Sequence, residues 1–329
     1  MIKPFPWQIT NWQRLLSAQQ QDRLPHALLL CGKNGMGLEQ FSYAFAARLL
    51  CTDTDSSEQA CGQCKSCLLL QAGNHPDLLS INPEAPGKQI KVEPVRELVS
   101  FIQTTSQYGK HKIVILNPAE AMNRSAANGL LKTLEEPPAG SLLILLSEKT
   151  AFLPITIRSR CQRIEFQPSR SQESLDWLQS KLGDEVDADE ILSLAQGAPL
   201  KAVEIYQSDE QQAQLELLED LQKLKQQPCD PIKLAEKWLA WDASRVFRHL
   251  IDFFAMMSRM KLGSEANNSP VHKHLQGIIK GLDLEQLIRC YDVLLKHYNA
   301  ASGPISLNKQ GLLEDFIIHW QNVARQAGG

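Results

Sequence analysis

Four cysteines, Cys51, Cys61, Cys64 and Cys67, carry the clearest chemistry in this sequence of 329 residues. Two CxxC steps share Cys64, and a fourth thiol stands upstream. Four thiolates in this spacing suit tetrahedral zinc, and four protein ligands leave no open position for a catalytic water. The ion expected here is therefore a structural Zn2+. Gly62 and Ser66 let the backbone turn tightly around it. His75, in "NHPD", reads as a structural histidine rather than a fifth ligand. Cys31, Cys161, Cys229 and Cys290 are scattered and read as small buried hydrophobes.

A second candidate is "CGKNGMGLEQ", residues 31–40. Gly32, Gly35 and Gly37 have the frame of a phosphate-binding loop. In a working loop, N–H groups wrap the phosphates, Lys neutralises their charge and Ser or Thr ligates magnesium. Here those two positions hold Leu38 and Glu39. Leu38 does neither job, Glu39 brings negative charge, and Lys33 stands in the wrong place. The plain alternative is a glycine turn between strand and helix, with no nucleotide. The partner motif is lost too. A Walker B strand ends in Asp, often followed by Glu, whereas "HKIVILNPAEAMN" reaches Asn117 and Pro118, with Glu120 displaced. Phosphoryl transfer rests on positioned charge, so these losses should leave little catalysis. The fourth candidate, Arg158-Ser159-Arg160-Cys161, follows "FLPITI". Two arginines between strands form either a solvated turn with ion pairs or an arginine finger for a neighbour's phosphate site.

The elements that must hold these residues follow from the apolar pattern. "HALLLC" (26–31), "DLLSI" (77–81), "HKIVILN" (111–117), "SLLILLS" (141–147) and "QRIEF" (162–166) read as buried strands. Val95, Leu98, Val99 and Ile102 share one helix face, as do Ala126, Ala127, Leu130, Leu131 and Leu134, before Pro137-Pro138 stops the second helix. Strands alternating with helices predict an α/β fold, a parallel sheet covered on both faces. "QPSRSQE" (167–173) reads as a linker. Short helices follow, with Gly197 as a stop, and the chain is helical from about 208, broken by a "GSEANNSP" loop (263–270). Domains are expected over 1–168, 169–207 and 208–329.

Hydrophobic content of 43%, charged content of 22% and a net charge of −3 describe an ordinary globular protein. A stand-alone, sequence-independent DNA binder would usually be basic, so the charge speaks against a zinc-dependent nucleic-acid module acting alone. No membrane span or secretory leader is visible, and the cytosol (a cytoplasmic protein) is the expected compartment.

Together, "PHALLLCGKNGMG", "CGQCKSC", "NHPDLL", "NGLLKTLEEPP" and "RSRC" resemble the clamp-loader subunits of bacterial DNA polymerase III. The resemblance is dense over residues 1–207, and beyond them rests on length and "NKQGLLEDFII". The family's ATP-hydrolysing motor subunits, gamma and tau, keep the Lys-Ser/Thr loop and the Asp-Glu strand. Leu38, Glu39, Asn117 and Pro118 depart from them and match the family's non-hydrolysing stator. Leu200, in Gly197-Ala198-Pro199-Leu200, sits where motors carry a phosphate-sensing Arg. The resemblance implies an AAA+ module with a zinc-binding insertion, a small helical lid and a C-terminal helical collar. It implies no ATP in the chain's own site, and Arg160 acting in trans on an adjacent motor. The partners implied are gamma/tau and delta subunits in a hetero-pentamer, with the sliding clamp and primed DNA reached through the complex. An ATP-hydrolysing motor is the rival reading.

Overall fold

A computed structural model describes residues 3–326 apart from 54–57, 86, 110, 169, 184–185, 209, 228, 264–269 and 303–307. Five strands, β1 (Ala27–Gly32), β2 (Leu78–Ile81), β3 (Lys112–Leu116), β4 (Ser141–Ser147) and β5 (Gln162–Phe166), form one sheet in the order β2-β3-β4-β1-β5. Every pairing is parallel, with Leu29 opposite Leu145 and Arg163 across β1. The expected α/β fold stands, and all five expected strands form.

The helices of this half are α1 (Ile9–Gln20), α2 (Leu38–Leu50), α3 (Lys65–Gln71), α4 (Val92–Ile102), α5 (Arg124–Glu135), α6 (Ile155–Arg158) and α7 (Gln172–Leu182). Side chains alternate across the sheet, because successive strand residues point to opposite faces. Leu28, Leu30, Ile113, Ile115, Leu142, Ile144 and Leu146 meet Trp12 and Leu15 of α1 and Phe41 and Phe45 of α2. Leu29, Cys31, Val114, Leu116, Leu143 and Leu145 meet Val95 and Leu98 of α4 and Leu130 and Leu134 of α5. With apolar residues on both faces, β3 and β4 are buried along their whole length, as a covered parallel sheet requires. Asn123 caps α5 by accepting the Ala126 N–H at 2.8 Å, and α5 ends just before Pro137-Pro138.

The chain continues through α8 (Ala188–Leu194), α9 (Pro199–Gln207), α10 (Glu210–Gln226), α11 (Pro231–Leu239), α12 (Ala243–Lys261), α13 (Pro270–Ile279), α14 (Leu284–Ser302) and α15 (Lys309–Gln326). After α8 the chain reverses through left-handed Gln196 and Gly197. Two compact units result: Met1–Lys181 with Gly197–Lys201, and Leu182–Gln196 with Ala202–Gly329. The second has its own core around Trp238, Phe247, Phe254, Phe316 and Trp320. In it the Asp220 carboxylate accepts the Trp238 indole N–H at 3.0 Å and pairs with Lys237 at 2.8 Å. Most of the expected "GSEANNSP" loop lies outside the described residues. Among the described residues, no helix is long and apolar enough to cross a membrane.

Asp77, fully buried before β2, ties down the segment after α4. Its carboxylate accepts the Ser106 hydroxyl and the N–H groups of Gln107 and Tyr108 at 2.9–3.0 Å. The ammonium of Lys112, 7% exposed, lies 3.7 Å away and 4.0 Å above the Phe101 ring. Burial alone would raise the Asp77 pKa, but the N–H and hydroxyl donors and the Lys112 charge outweigh it and hold the carboxyl below its usual range. Asp77→Ala is expected to cost about 3–5 kcal/mol in urea unfolding, because Lys112 is left buried without its counter-charge. A depressed folded pKa gives stability that is complete above the unfolded value, near 4, and is lost as pH falls through the lower folded value. The wild-type loss of stability in acid should therefore be steeper than that of Asp77→Ala.

Candidate functional site

In open α/β sheets, ligands bind beyond the carboxyl ends of the strands. Here the carboxyl end of β1 runs into the glycine loop, and β4 lies between β1 and β3. The loop is packed from two sides by its own chain. Gly35 has φ +84°, and a Cβ there would lie 2.6 Å from the Lys201 Cβ and 2.7 Å from the Lys201 nitrogen. The Leu200 N–H donates to the Gly35 carbonyl at 3.1 Å. On the other side, the Gln8 amide donates to the carbonyls of Met36 and Gly37 at 2.8 and 2.9 Å, and the Trp7 indole N–H to Met36 at 3.0 Å. A Cβ at Gly37, φ +78°, would strike the Phe5 ring at 2.8 Å. Phe5 stacks on Trp7 at 4.8 Å, and Trp177 meets Trp7 edge-on at 5.0 Å. Leu38 turns into the core beside Gly32 and Phe166.

The second half of the site closes on the first. The Asn117 amide donates to the Glu39 carboxylate at 3.3 Å, so the segment after β3 is joined to the start of α2. Glu120 turns elsewhere: its Oε1 accepts the N–H groups of Glu148 and Lys149, both at 3.0 Å. The Glu148 carboxyl is pushed up by burial and then by the Glu120 charge.

The arginine turn is built differently from a plain loop. Between β4 and β5, Leu153 and Ile157 anchor α6 in the core, with exposures of 3% and 0%. Arg158 closes α6, and its Nε is buried with no hydrogen-bond partner among the described residues. Arg160 follows in the turn. Its Nη1 donates to the Thr156 carbonyl at 2.9 Å, and its Nη2 meets the Glu135 Oε1 at 2.6 Å. Phe152 and Ile155, on the same segment, are 76% and 72% exposed.

The four cysteines come together between α2 and α3. Their sulfurs all lie within 4.8 Å of one another. Cys51 to Cys64 and Cys61 to Cys67 are each 3.9 Å, far beyond a disulfide bond and close to the ~3.8 Å edge of a tetrahedron with metal–sulfur bonds near 2.3 Å. Gly62 takes φ +77° in the first CxxC step. The N–H groups of Cys61, Cys64 and Cys67 point at the sulfurs of Cys51, Cys61 and Cys64 at 3.3–3.4 Å. Burial works against ionising Cys64, yet the Thr52 hydroxyl and the N–H groups of Cys67 and Thr52 pull it down to about 5. Burial pushes Cys67 up. Four convergent sulfurs with N–H donors behind them can hold a metal ion. His75 stands outside the set. Its Nδ1 accepts the Asp77 N–H at 3.0 Å, so its Nε2 carries the proton donated to the Ser66 hydroxyl at 2.8 Å, and Ser66 donates to the Leu50 carbonyl at 2.6 Å. Burial holds the His75 pKa down, consistent with a neutral ring.

The family model described as "DNA polymerase III, delta subunit" matches residues 7–170. A relative from Pseudomonas aeruginosa, DNA polymerase III subunit delta', is 34% identical over 328 residues, covering 98% of this chain and 99% of that protein. The chain belongs to the DNA polymerase III delta' family. The delta' subunit of Escherichia coli is 34% identical over 218 residues, covering 66% of this chain and 65% of its own. A gamma subunit-related protein of Thermotoga maritima has a likeness with TM-score 0.47 and 19% identity, covering 94% of this chain and 99% of that one.

Within this delta' chain, the structure joins Glu39 to Asn117 and gathers the four thiols, while Arg160 is partnered by Thr156, Ser159 and Glu135. Sequence reading missed Trp7, Gln8, Lys201 and Glu135 as supports, and took Ser66 for a turn residue where its hydroxyl links Leu50 and His75. The sequence held one usable signal: Glu135 and Glu136 stand together just before a helix-stopping proline pair, where an acid caps no N-terminus and wants a cation.

Proposed function

We propose that this chain is the stator of a DNA polymerase III clamp loader. It neither binds ATP tightly nor hydrolyses it, and it lends Arg160 to the ATP site of an adjacent gamma/tau motor subunit. In this reading residues 1–168 are the AAA+ module, 169–207 the lid and 208–329 the collar of a hetero-pentamer that also holds delta. The complex places the sliding clamp on primed DNA, and Cys51, Cys61, Cys64 and Cys67 hold a structural zinc.

Membership of the delta' family supports the role, and one observation carries the silent site. The glycine loop is packed against Gln8, Phe5 and Lys201, and the adjoining carboxylate, Glu39, is bonded to Asn117. A nucleotide would bring phosphate charge beside Glu39 without the Lys and metal ligands that balance it. Arg160 stands at the surface beside two exposed apolar side chains, as an interface element would.

Calorimetric titration of the isolated chain with MgATP tests the silent site. No binding is expected at micromolar nucleotide, and turnover should vanish on rigorous purification. Micromolar affinity would overturn the reading. Leu38→Lys is expected to leave the chain inactive, since both Walker B carboxylates are still missing. It should also lower stability, because position 38 is 9% exposed in the core.

A further inference from the structure

We propose that Glu135 is a positioning residue that sets the Arg160 guanidinium for its work in trans; this rests on the finger reading above. The geometry is specific. Glu135 closes α5, whose Leu130 and Leu134 are buried with exposures of 0% and 2%, so its backbone is fixed by the core. Thr156 belongs to α6, which Ile157 anchors in the same core as Leu130 and Leu134. One guanidinium is thus held from two helices packed in one core, Nη2 by the Glu135 carboxylate at 2.6 Å and Nη1 by the Thr156 carbonyl at 2.9 Å.

A guanidinium offers five N–H donors in a rigid fork. With the longer 3.5 Å contact of Nη1 to the Ser159 hydroxyl, three donors are engaged, and one on Nη2 and the one on Nε are left for a phosphate. The side chain is 35% exposed and Glu135 50% exposed, so the pair meets solvent rather than being sealed inside. An ion pair this exposed contributes little to stability. What it contributes is placement. A long, rotamer-rich side chain is restricted before the neighbour's nucleotide arrives, and misplacement of about 1 Å at a reacting centre can cost ~100-fold in rate.

The test uses reconstituted loader complexes with Glu135→Ala, Glu135→Gln, Arg160→Ala and the double Ala variant. Clamp-loading rate and the kcat and KM for ATP are measured under clamp and DNA stimulation. Glu135→Ala should slow loading about tenfold and lower kcat, with KM for ATP unchanged, because a finger acts on the transition state. Glu135→Gln keeps an acceptor oxygen at the same place and should restore most of the rate. The double variant should be no slower than Arg160→Ala alone. Glu135→Ala at the wild-type rate, a faster complex, additive losses in the double variant, or Gln as poor as Ala would each overturn the positioning role. A silent Arg160→Ala would overturn the finger reading itself, and this inference with it. Unchanged thermal unfolding of Glu135→Ala separates placement from misfolding.

Discussion

Complexes carrying Arg160→Ala assemble normally and load clamps at about a thousandth of the wild-type rate or less; this is the expected result of deleting a finger that acts in trans. The guanidinium would neutralise charge building on the transferred phosphoryl group, and such a residue is worth roughly 10^3–10^5 in rate in the best-understood switch enzymes. Arg160 would serve one of several ATP sites, so steady-state hydrolysis should fall only in part, while loading should fall fully on the reading that every site must fire. Folding should be spared, because the side chain is 35% exposed and its ion pair lies at the surface. Arg158 is the internal control. Its Nε is buried, so Arg158→Ala should disturb stability and leave turnover per folded complex alone. Wild-type loading by Arg160→Ala complexes would return the turn to a charged surface feature.

Metal removal should give the other large effect. Purified protein is expected to hold one zinc per chain, and Cys64→Ser to hold none. The binding free energy of a structural zinc is folding free energy, about 10–16 kcal/mol in small finger peptides. Here the ion would close only the segment between α2 and α3, and the sheet has its own core. The expected outcome is local: residues 58–71 lose amide protection, and the midpoint of thermal unfolding drops by ~10 °C, as a loss of a few kcal/mol would produce in a unit of this size. Because the ligands must be thiolates, acid should release the ion before it unfolds the sheet. Full protection of residues 58–71 in metal-free protein would sink the assignment.

Much of this was legible because buried parallel strands leave an unmistakable trace. "SLLILLS" and "QRIEF" form strands over the residues read, since a strand covered on both faces must be apolar nearly throughout or alternate at the edge. The cysteine spacing likewise predicted convergent sulfurs, because CxxC confines two thiols to one turn. Short helices were harder. α3 and α6, with seven and four residues, are too brief to show a period, so the apolar pattern marked no helix at either place. The supports of the site were hidden for another reason. Gln8 reaches Met36 across 28 residues, and Arg160 reaches Glu135 across 25, through the topology of the sheet. No local propensity encodes such a meeting.

On the stator reading, the packing around the glycine loop also stands in the way of hydrolysis. Lys201 sits against Gly35, Phe5 and Gln8 against Gly37, Leu38 in the core and Asn117 on Glu39. On that reading, gaining hydrolysis would start at Leu38 and Asn117; a Lys at position 38 first buries a charge, and changing Asn117 removes its bond to Glu39. The glycines then serve as packing, and the loop acts as a structural joint.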